Sequence, residues 1–179
     1  MVSFKHFFNP YIKVKNSQIH GRGVYAKKDI PKGTRIIEYI GRVITKEESQ
    51  KIYDRKIEIY KKDKSKSSAV FIFNANETHD LDGDVWWNLA KLVNHSCSPN
   101  CEALSEDDGT IALYSMKNIK KGEELNFNYG YDAECYEDHP CWCGSKNCVG
   151  HIVAKDQWSE LKKLLKNKQN NQEEFKHNH

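Results

Sequence analysis

The 179-residue sequence contains no run of 18 apolar residues, about the length that a membrane-spanning helix requires. The opening stretch, Met1 to His6, leads into no apolar segment of signal-peptide length. No internal repeat is present. We therefore expect a soluble, intracellular protein, with the cytoplasm as the default compartment and with the nucleus or secretion as alternatives.

The sequence also lacks a strong excess of charge. Its 28 Lys and Arg against 25 Asp and Glu give a net charge of +3, which is too small to indicate nucleic-acid binding. The basic excess is local, because residues 51–66 hold seven basic and three acidic side chains. We interpret this segment as a solvated helix or loop, and a small nucleic-acid binder that uses it remains an alternative.

Cysteine is scarce outside one cluster. Four of the six cysteines lie within fourteen residues, at positions 135, 141, 143 and 148. Six cysteines permit three disulfides, but the spacing Cys-x-Cys-x4-Cys suits a metal better. A structural zinc takes four ligands, so the three thiols of residues 141–148 need a partner from elsewhere. On spacing alone the candidates are Cys97, Cys101, Cys135, His139 and His151.

Short apolar runs separated by turn residues predict a mainly β fold of small sheets rather than βαβ units. The predicted strands are residues 11–14, 24–26, 35–40, 70–73, 111–114 and 124–129. A helix is predicted over 45–62, where Thr45 and Glu48 have the spacing of a capping box. A second, amphipathic helix is predicted over 154–166. The polar tail, 167–179, is predicted to be disordered.

Three blocks in the second half of the chain carry the residue types of a reaction site. Asn94–Asn100 reads NHSCSPN, which is too polar for a helix or strand interior and indicates an ordered loop. Residues 122–131 read GEELNFNYGY, and residues 141–148 read CWCGSKNC. Upstream, the glycines of HGRGV at 20–24 would let the backbone approach a ligand. Taken singly, the first block also fits a hydrogen-bonded turn and the second an ordinary aromatic strand.

In this order the blocks resemble the SET-domain family of protein-lysine methyltransferases that carry a zinc-binding post-SET segment. The resemblance implies a SET domain over residues 10–131, with a helical or loop insert at about 45–90, and a post-SET segment over 132–153. It implies a SET-domain fold, mainly β with short helices, in which small curved sheets hold a threaded, pseudoknot-like C-terminal segment. A C-terminal helix follows.

The resemblance also implies the roles of individual residues. Those expected to bind S-adenosylmethionine are His20, Gly21, Arg22, Gly23, Phe71, Asn94, His95, Tyr129 and Trp142. Those expected to wall the lysine channel are Tyr39, Phe127, Tyr129 and Tyr131, with Tyr129 as the catalytic tyrosine. The implied zinc ligands are Cys97, Cys141, Cys143 and Cys148. Three positions depart from the usual family residue without removing a group that the chemistry requires: Phe71, Lys91 and Asn128.

The function that the resemblance implies is an S-adenosylmethionine-dependent protein-lysine N-methyltransferase. The expected partner is a protein with a lysine-containing basic tail, histones first, without direct binding to nucleic acid or membrane. A histone substrate would place the protein at chromatin. Phe127 implies a di- or trimethylated product. The alternative is a binding module that has the SET fold, is stabilised by zinc and has no catalytic activity. The presence of Asn94, His95 and Tyr129 favours an enzyme.

Overall fold

The structure, a computed structural model, describes the backbone of residues 9–177 and their side chains except those of 172 and 174–177. It contains ten short strands, two α-helices and short 3-10 turns. The strands are β1 Ile12–Asn16, β2 Arg22–Ala26, β3 Arg35–Tyr39, β4 Arg42–Thr45, β5 Ile72–Asn74, β6 His79–Asp82, β7 Asn94–His95, β8 Cys101–Ser105, β9 Ile111–Ser115 and β10 Glu124–Phe127. The helices are α1 Lys46–Lys62 and α2 Trp158–His177. The predicted class, mainly β with few helices, is confirmed.

The strands form three small sheets, with the orders β1-β2-β10-β7, β3-β9-β8 and β4-β6-β5. In the first sheet β10 pairs antiparallel with β2 and parallel with β7. The last strand of the chain is thus inserted between one near the N-terminus and one near the middle, as a threaded C-terminal segment requires. This insertion brings residues 124–131 beside Asn94 and His95.

One hydrophobic core joins the first two sheets. Val24, Leu113 and Leu125, from β2, β9 and β10, are completely buried. Alternating apolar residues place these side chains on the inner faces, as expected for half-buried strands. Partly buried Phe73 and Tyr129 pack against the edge of this core, so the core supports the aromatic residues of the candidate site.

The α1 helix begins at the predicted capping box. Thr45 Oγ1 accepts a hydrogen bond from the Glu48 N–H at 3.2 Å, and Glu48 Oε2 accepts one from the Thr45 N–H at 2.8 Å. Its apolar face is narrow, since Ile57 is the buried residue within it. The helix is therefore held mainly at its start and by side-chain contacts to its neighbours.

The C-terminal helix is longer than the sequence analysis predicted. Instead of ending at 166, α2 continues to His177, so the predicted disorder of 167–177 is wrong; residues 178 and 179 lie outside the described part. Residues 167–177 contain neither Pro nor Gly and are rich in Lys, Gln and Glu, which favour helix. At its start Leu161 is buried in a small second core with Ala133, Tyr136 and Val153. Packing of the first turns thus nucleates a helix that favourable residues then extend.

None of the helices within residues 9–177 combines the length and the apolar character needed to cross a membrane.

Candidate functional site

Four cysteines converge just beyond the C-terminal end of β7, and their sulfur atoms all lie within 4.8 Å of one another. The members are Cys97, Cys141, Cys143 and Cys148. Cys97 Sγ lies 3.8 Å from Cys141 Sγ and 4.0 Å from Cys148 Sγ. A tetrahedral site with metal–sulfur bonds of about 2.3 Å has sulfur–sulfur edges of about 3.8 Å, so the spacing fits a four-thiolate metal site. A disulfide would bring two sulfurs to about 2.05 Å.

The donors around these sulfurs favour thiolates. The backbone N–H of Cys97 donates to Cys143 Sγ at 3.5 Å, and that of Gly150 donates to Cys148 Sγ at 3.4 Å. Burial first, and then the neighbouring Cys143 and Cys148, raise the pKa of the Cys97 thiol to about 11. Four thiols so close together cannot all ionise without a compensating cation, which is the condition that a bound divalent metal meets.

A large cavity of about 480 Å³ lies beside the cysteine cluster, within the size range of small-molecule sites. Its walls come from distant parts of the chain. They include His20 from the glycine loop, Asn94 and His95 from β7, residues 64–69 after α1, Tyr129 and Tyr131 after β10, and His139 to Cys143. Trp142 stands at its rim with 79% of its surface exposed. The cavity therefore draws together the three sequence blocks and the glycine loop.

Asn94 is fixed in this wall by acceptors from two directions. Its Nδ2 donates to Glu124 Oε1 at 2.8 Å and lies 3.3 Å from both the His20 and Arg22 carbonyl oxygens. Glu124 is itself held by Ser17 Oγ and Tyr25 Oη, each at 2.7 Å. The glycine loop thus contributes main-chain acceptors that orient the Asn94 amide.

Gly23 is required by this arrangement. A Cβ built at Gly23 would lie 2.2 Å from Glu124 Oε1 and 3.0 Å from Ser17 Cβ, closer than van der Waals contact allows. The second glycine of the loop therefore makes room for the carboxylate that holds Asn94.

A narrow aromatic channel adjoins the large cavity. Its lining includes Tyr39, Phe71, Phe73, Phe127, Tyr129 and Tyr131. Its free volume is about 20 Å³, room for about one water-sized group. Tyr129 and Tyr131 line both spaces, so the channel and the large cavity meet at these two residues.

The hydroxyl groups of the channel are held by main-chain atoms. Tyr129 Oη donates to the Val93 carbonyl at 3.0 Å, and Tyr131 Oη donates to the Val70 carbonyl at 2.9 Å. Tyr39 Oη donates to the Phe71 carbonyl at 3.1 Å. Burial raises the pKa of Tyr131 to about 12, and it also raises the pKa values of Tyr39 and Tyr129. All three tyrosines are therefore neutral hydrogen-bonding groups at physiological pH, and none is a base.

His95 connects the cysteine cluster to Tyr129. Its Nδ1 accepts a hydrogen bond from the Tyr129 N–H at 3.2 Å, and its Nε2 lies 3.6 Å from Cys97 Sγ. Burial lowers the pKa of His95 to about 4, so the ring is neutral and its Nδ1 can accept. The position of the cysteine cluster is thereby coupled through one imidazole to the backbone of Tyr129.

The structure separates some residues that the sequence analysis grouped. Phe71, expected to contact S-adenosylmethionine, lies in the wall of the channel and not of the large cavity. Gly21, Arg22 and Gly23 do not line the large cavity, and Arg22 adjoins it through its carbonyl oxygen, which accepts a hydrogen bond from Asn94 Nδ2. The remaining residues expected to bind this molecule line the large cavity, and the four residues expected in the channel line it together.

The sequence analysis missed several lining residues. In the large cavity these are Ile19, Tyr60, residues 64–69, His139, Pro140, Cys141, Cys143 and Ile152; in the channel they are Val70, Ile72, Phe73, Lys91 and Val93. The loop after α1 carries no motif, and only the fold brings it over the cavity. Among the missed channel residues, Lys91 alone had a signal in the sequence, because it departs from the usual family residue. Its Nζ pairs with Asp84 at 3.1 Å beside the channel.

Comparisons with known proteins agree with this geometry. The family model of the SET domain matches residues 21–130, more than half of the chain, and the chain belongs to the SET-domain family. It is 39% identical over 142 residues to "Histone-lysine N-methyltransferase trr" of Drosophila melanogaster, covering 76% of this chain and 6% of that protein. It is 36% identical over 141 residues to "Histone-lysine N-methyltransferase 2D" of Homo sapiens, covering 76% of this chain and 2% of that protein.

A fungal relative has a more specific name. "Histone-lysine N-methyltransferase, H3 lysine-4 specific" of Aspergillus oryzae is 33% identical over 146 residues, which cover 79% of this chain and 11% of that protein. The chain thus spans only a small part of the length of these three relatives.

Proposed function

We propose that the protein is an S-adenosylmethionine-dependent protein-lysine N-methyltransferase. The observation that carries the proposal is the meeting of a large cavity and a narrow aromatic channel at Tyr129 and Tyr131. A methyl donor in the first space and the amino end of a lysine side chain in the second would face each other at this junction. Membership of the SET-domain family supports the same assignment.

Of the residues expected to bind S-adenosylmethionine, His20, Asn94, His95, Tyr129 and Trp142 would contact it from the walls and rim of the large cavity. When bound, this molecule supplies a methyl group on a positively charged sulfur. Asn94 is pre-oriented by its bonds to Glu124 and the glycine loop, which lowers the ordering cost of binding. Gly21, Arg22 and Gly23 would act through that orientation.

The channel residues would prepare and align the lysine. A free lysine has a pKa of about 10.4, and an apolar channel disfavours the ammonium form, so the amine loses a proton to solvent before it reacts. The Tyr129 hydroxyl would orient the nitrogen lone pair, while Tyr39, Phe127 and Tyr131 restrict its approach. The nitrogen–carbon bond then forms as the sulfur–carbon bond breaks, and alignment makes the step effectively unimolecular.

A zinc ion bound by Cys97, Cys141, Cys143 and Cys148 would be structural. Four thiolates leave no open coordination position, as in structural and unlike catalytic zinc sites. It would tie the loop of Asn94–Asn100 to the C-terminal segment and so hold one wall of the large cavity closed.

Histones are the proposed substrates, because all three of these relatives are named histone-lysine N-methyltransferases. The direct test is incubation with labelled S-adenosylmethionine and a panel of histones, followed by mapping of the modified lysine. Label in a histone lysine supports the proposal. Binding of S-adenosylmethionine by calorimetry without transfer to any protein would instead support the binding-module alternative.

Gly23→Ala is expected to weaken S-adenosylmethionine binding about tenfold, the effect of losing roughly one hydrogen bond. The new methyl group would displace the Glu124 carboxylate and leave Asn94 without its shortest acceptor. Calorimetry measures the affinity. Glu124→Ala should have a similar effect, and the double variant should be no weaker than either single variant, because both act through Asn94. Additive losses would show that the two residues act separately.

Phe127→Tyr is expected to shift the product from di- or trimethyl-lysine toward monomethyl-lysine. Phe127 lies in the channel with its ring 4.9 Å from that of Tyr129, and an added hydroxyl would occupy or hydrate the space that further methyl groups need. Mass spectrometry of the peptide product at matched turnover measures the shift. A wild-type product that is exclusively monomethylated would contradict the assignment of Phe127.

A further inference from the structure

Two lysine-rich turns lie side by side next to the first sheet. Residues 27–33, which follow β2, read KKDIPKG, and residues 116–122, which precede β10, read MKNIKKG. The two segments pair through Ile30 and Ile119, whose main-chain N–H groups donate to each other's carbonyls at 2.8 and 2.9 Å. Both isoleucine side chains are buried. We call the exposed face of these two segments the lysine surface.

Further bonds fix the two turns against each other. The Lys32 N–H donates to Asn118 Oδ1 at 2.9 Å. The Lys121 N–H donates to Asp29 Oδ1 at 2.9 Å, across 92 positions of the chain. Lys120 Nζ pairs with the other oxygen of Asp29 at 2.9 Å. The lysine surface is therefore held in one arrangement, and only the tertiary structure assembles it.

The charge of the lysine surface is strongly positive. Its exposed lysines are Lys28, Lys32, Lys117, Lys120 and Lys121. The acidic residues in the same stretch are Asp29 and Glu123, so five lysines against two carboxylates leave a charge of +3, equal to that of the entire chain. Lys120 has the ion pair with Asp29; within the described part of the chain, the other four lysines form no ion pair with a carboxylate.

The other basic segment, residues 51–66, differs because most of its charges are compensated. Five of its seven basic side chains form ion pairs: Lys51 with Glu47, Lys56 with Asp84, Lys61 with Asp138, Lys62 with Glu58 and Lys66 with Asp63. The densest basic run in the sequence is thus not the surface with the largest uncompensated charge. The sequence analysis found no reason to expect nucleic-acid binding, because net charge does not show where charges gather in space.

We infer that the lysine surface binds the phosphate backbone of double-stranded DNA without reading its sequence. Exposed ammonium groups held close together suit the closely spaced phosphates of a duplex. A lysine acts as a point charge and lacks the planar fork with which arginine reads guanine, so it positions a protein on DNA without specifying a sequence. Surfaces that bind membranes add exposed Trp, Phe or Leu side chains, whereas Met116 is the exposed large apolar residue of these turns.

DNA on the lysine surface would lie near the channel. β10 starts directly after the second turn and ends at Phe127, which lines the channel. The six residue steps from Lys121 to Phe127 span at most about 22 Å, a distance that about six residues of an extended histone tail would also cover. DNA wrapped on histones could therefore hold a neighbouring tail within reach of the channel. This use of the surface rests on the proposed function, but DNA binding itself does not.

A triple variant with Lys32→Gln, Lys117→Gln and Lys121→Gln tests the inference. Glutamine removes the charges and keeps the main-chain N–H groups that join the turns. Fluorescence anisotropy of the full zinc-loaded chain with a labelled duplex of about 25 base pairs, at about 50 to 200 mM salt, measures Kd and its salt dependence. For the wild type, we expect log K to fall with log salt at a slope of about −3 to −4. In the variant, Kd at the lowest salt should rise at least about tenfold, and the slope should shrink by about 2.7.

The matched control removes the same charge from the other basic segment, with Lys51→Gln, Arg55→Gln and Lys62→Gln. Its Kd for DNA should stay within about threefold of wild type, because salt screens charges far from the contact. Thermal unfolding of both variants identifies any loss of fold. As a functional readout, both variants should methylate free histones like the wild type, whereas the variant of the lysine surface should lose at least about fivefold in kcat/KM on nucleosomes.

The DNA measurements decide the inference by themselves. It is wrong if the wild type binds no DNA at the lowest salt, if the two triple variants bind equally well, or if the salt slope does not change. Binding to vesicles that contain phosphatidylserine, without binding to DNA, would assign the surface to membranes instead. Failure of the proposed function looks different, because the wild type would then transfer no methyl group to free histones while its binding to DNA stayed intact.

Discussion

Replacing Tyr129 with Phe is expected to lower the rate of methyl transfer by at least about 100-fold, a typical loss when a single positioning or stabilising group is removed. Affinity for S-adenosylmethionine should stay within about twofold, because the ring that lines the cavity is kept. The Tyr129 N–H that donates to His95 is also unchanged by this substitution. What is lost is the hydroxyl, which in the structure is fixed by the Val93 carbonyl at 3.0 Å.

Single-turnover kinetics with saturating S-adenosylmethionine separates this loss of rate from a loss of binding. Tyr114→Phe is the control, since it removes a tyrosine hydroxyl from β9 that lies in neither the cavity nor the channel. It should leave the rate unchanged. Near-normal turnover by the Tyr129 variant would remove the hydroxyl from the mechanism and favour a role for the ring alone.

Replacing Cys97 with Ser is expected to abolish stoichiometric zinc binding and to weaken S-adenosylmethionine binding by at least about tenfold. The substitution removes the proposed ligand that would join the Asn94–Asn100 loop to the C-terminal segment. The same change would free His95, whose Nε2 lies 3.6 Å from Cys97 Sγ. The wall of the large cavity should then lose its order while the main core, around Leu113 and Leu125, remains folded.

Elemental analysis of the purified protein measures the metal, with about one equivalent of zinc expected in the wild type. Cys135→Ser is the matched control, because Cys135 is a free cysteine outside the cluster. This variant should still bind about one equivalent of zinc. Limited proteolysis should cut the 132–153 segment faster in the Cys97 variant or after chelation. Full zinc occupancy in that variant would show that Cys97 is not a ligand.

Local patterns were enough to predict much of the fold. The capping box of Thr45 and Glu48 is a contact between residues three apart, and the structure confirms it. The predicted strands at 24–26 and 111–114 lie within β2 and β9, because alternation and turn residues act over a few positions.

The sequence analysis did not predict β6, because its residues contradict the usual pattern. Asp80 and Asp82 are buried in this strand, where a carboxylate is normally unfavourable. Lys46 pairs with Asp80 at 2.5 Å and Arg42 with Asp82 at 2.6 Å. Both partners come from a segment more than thirty residues earlier in the chain. A buried strand that depends on distant charges leaves no local signature.

The amino-acid sequence by itself determined the family, the mainly β class and the set of residues able to carry the chemistry, because these depend on residue types in short blocks. Spacing left the fourth thiol open, and the fold alone brings Cys97 beside Cys141, 44 positions later in the chain. Tertiary structure likewise decided that the loop after α1 and His139 border the large cavity, and that Phe71 faces the channel. Those placements follow from the insertion of β10 between β2 and β7, a long-range pairing that no local pattern encodes.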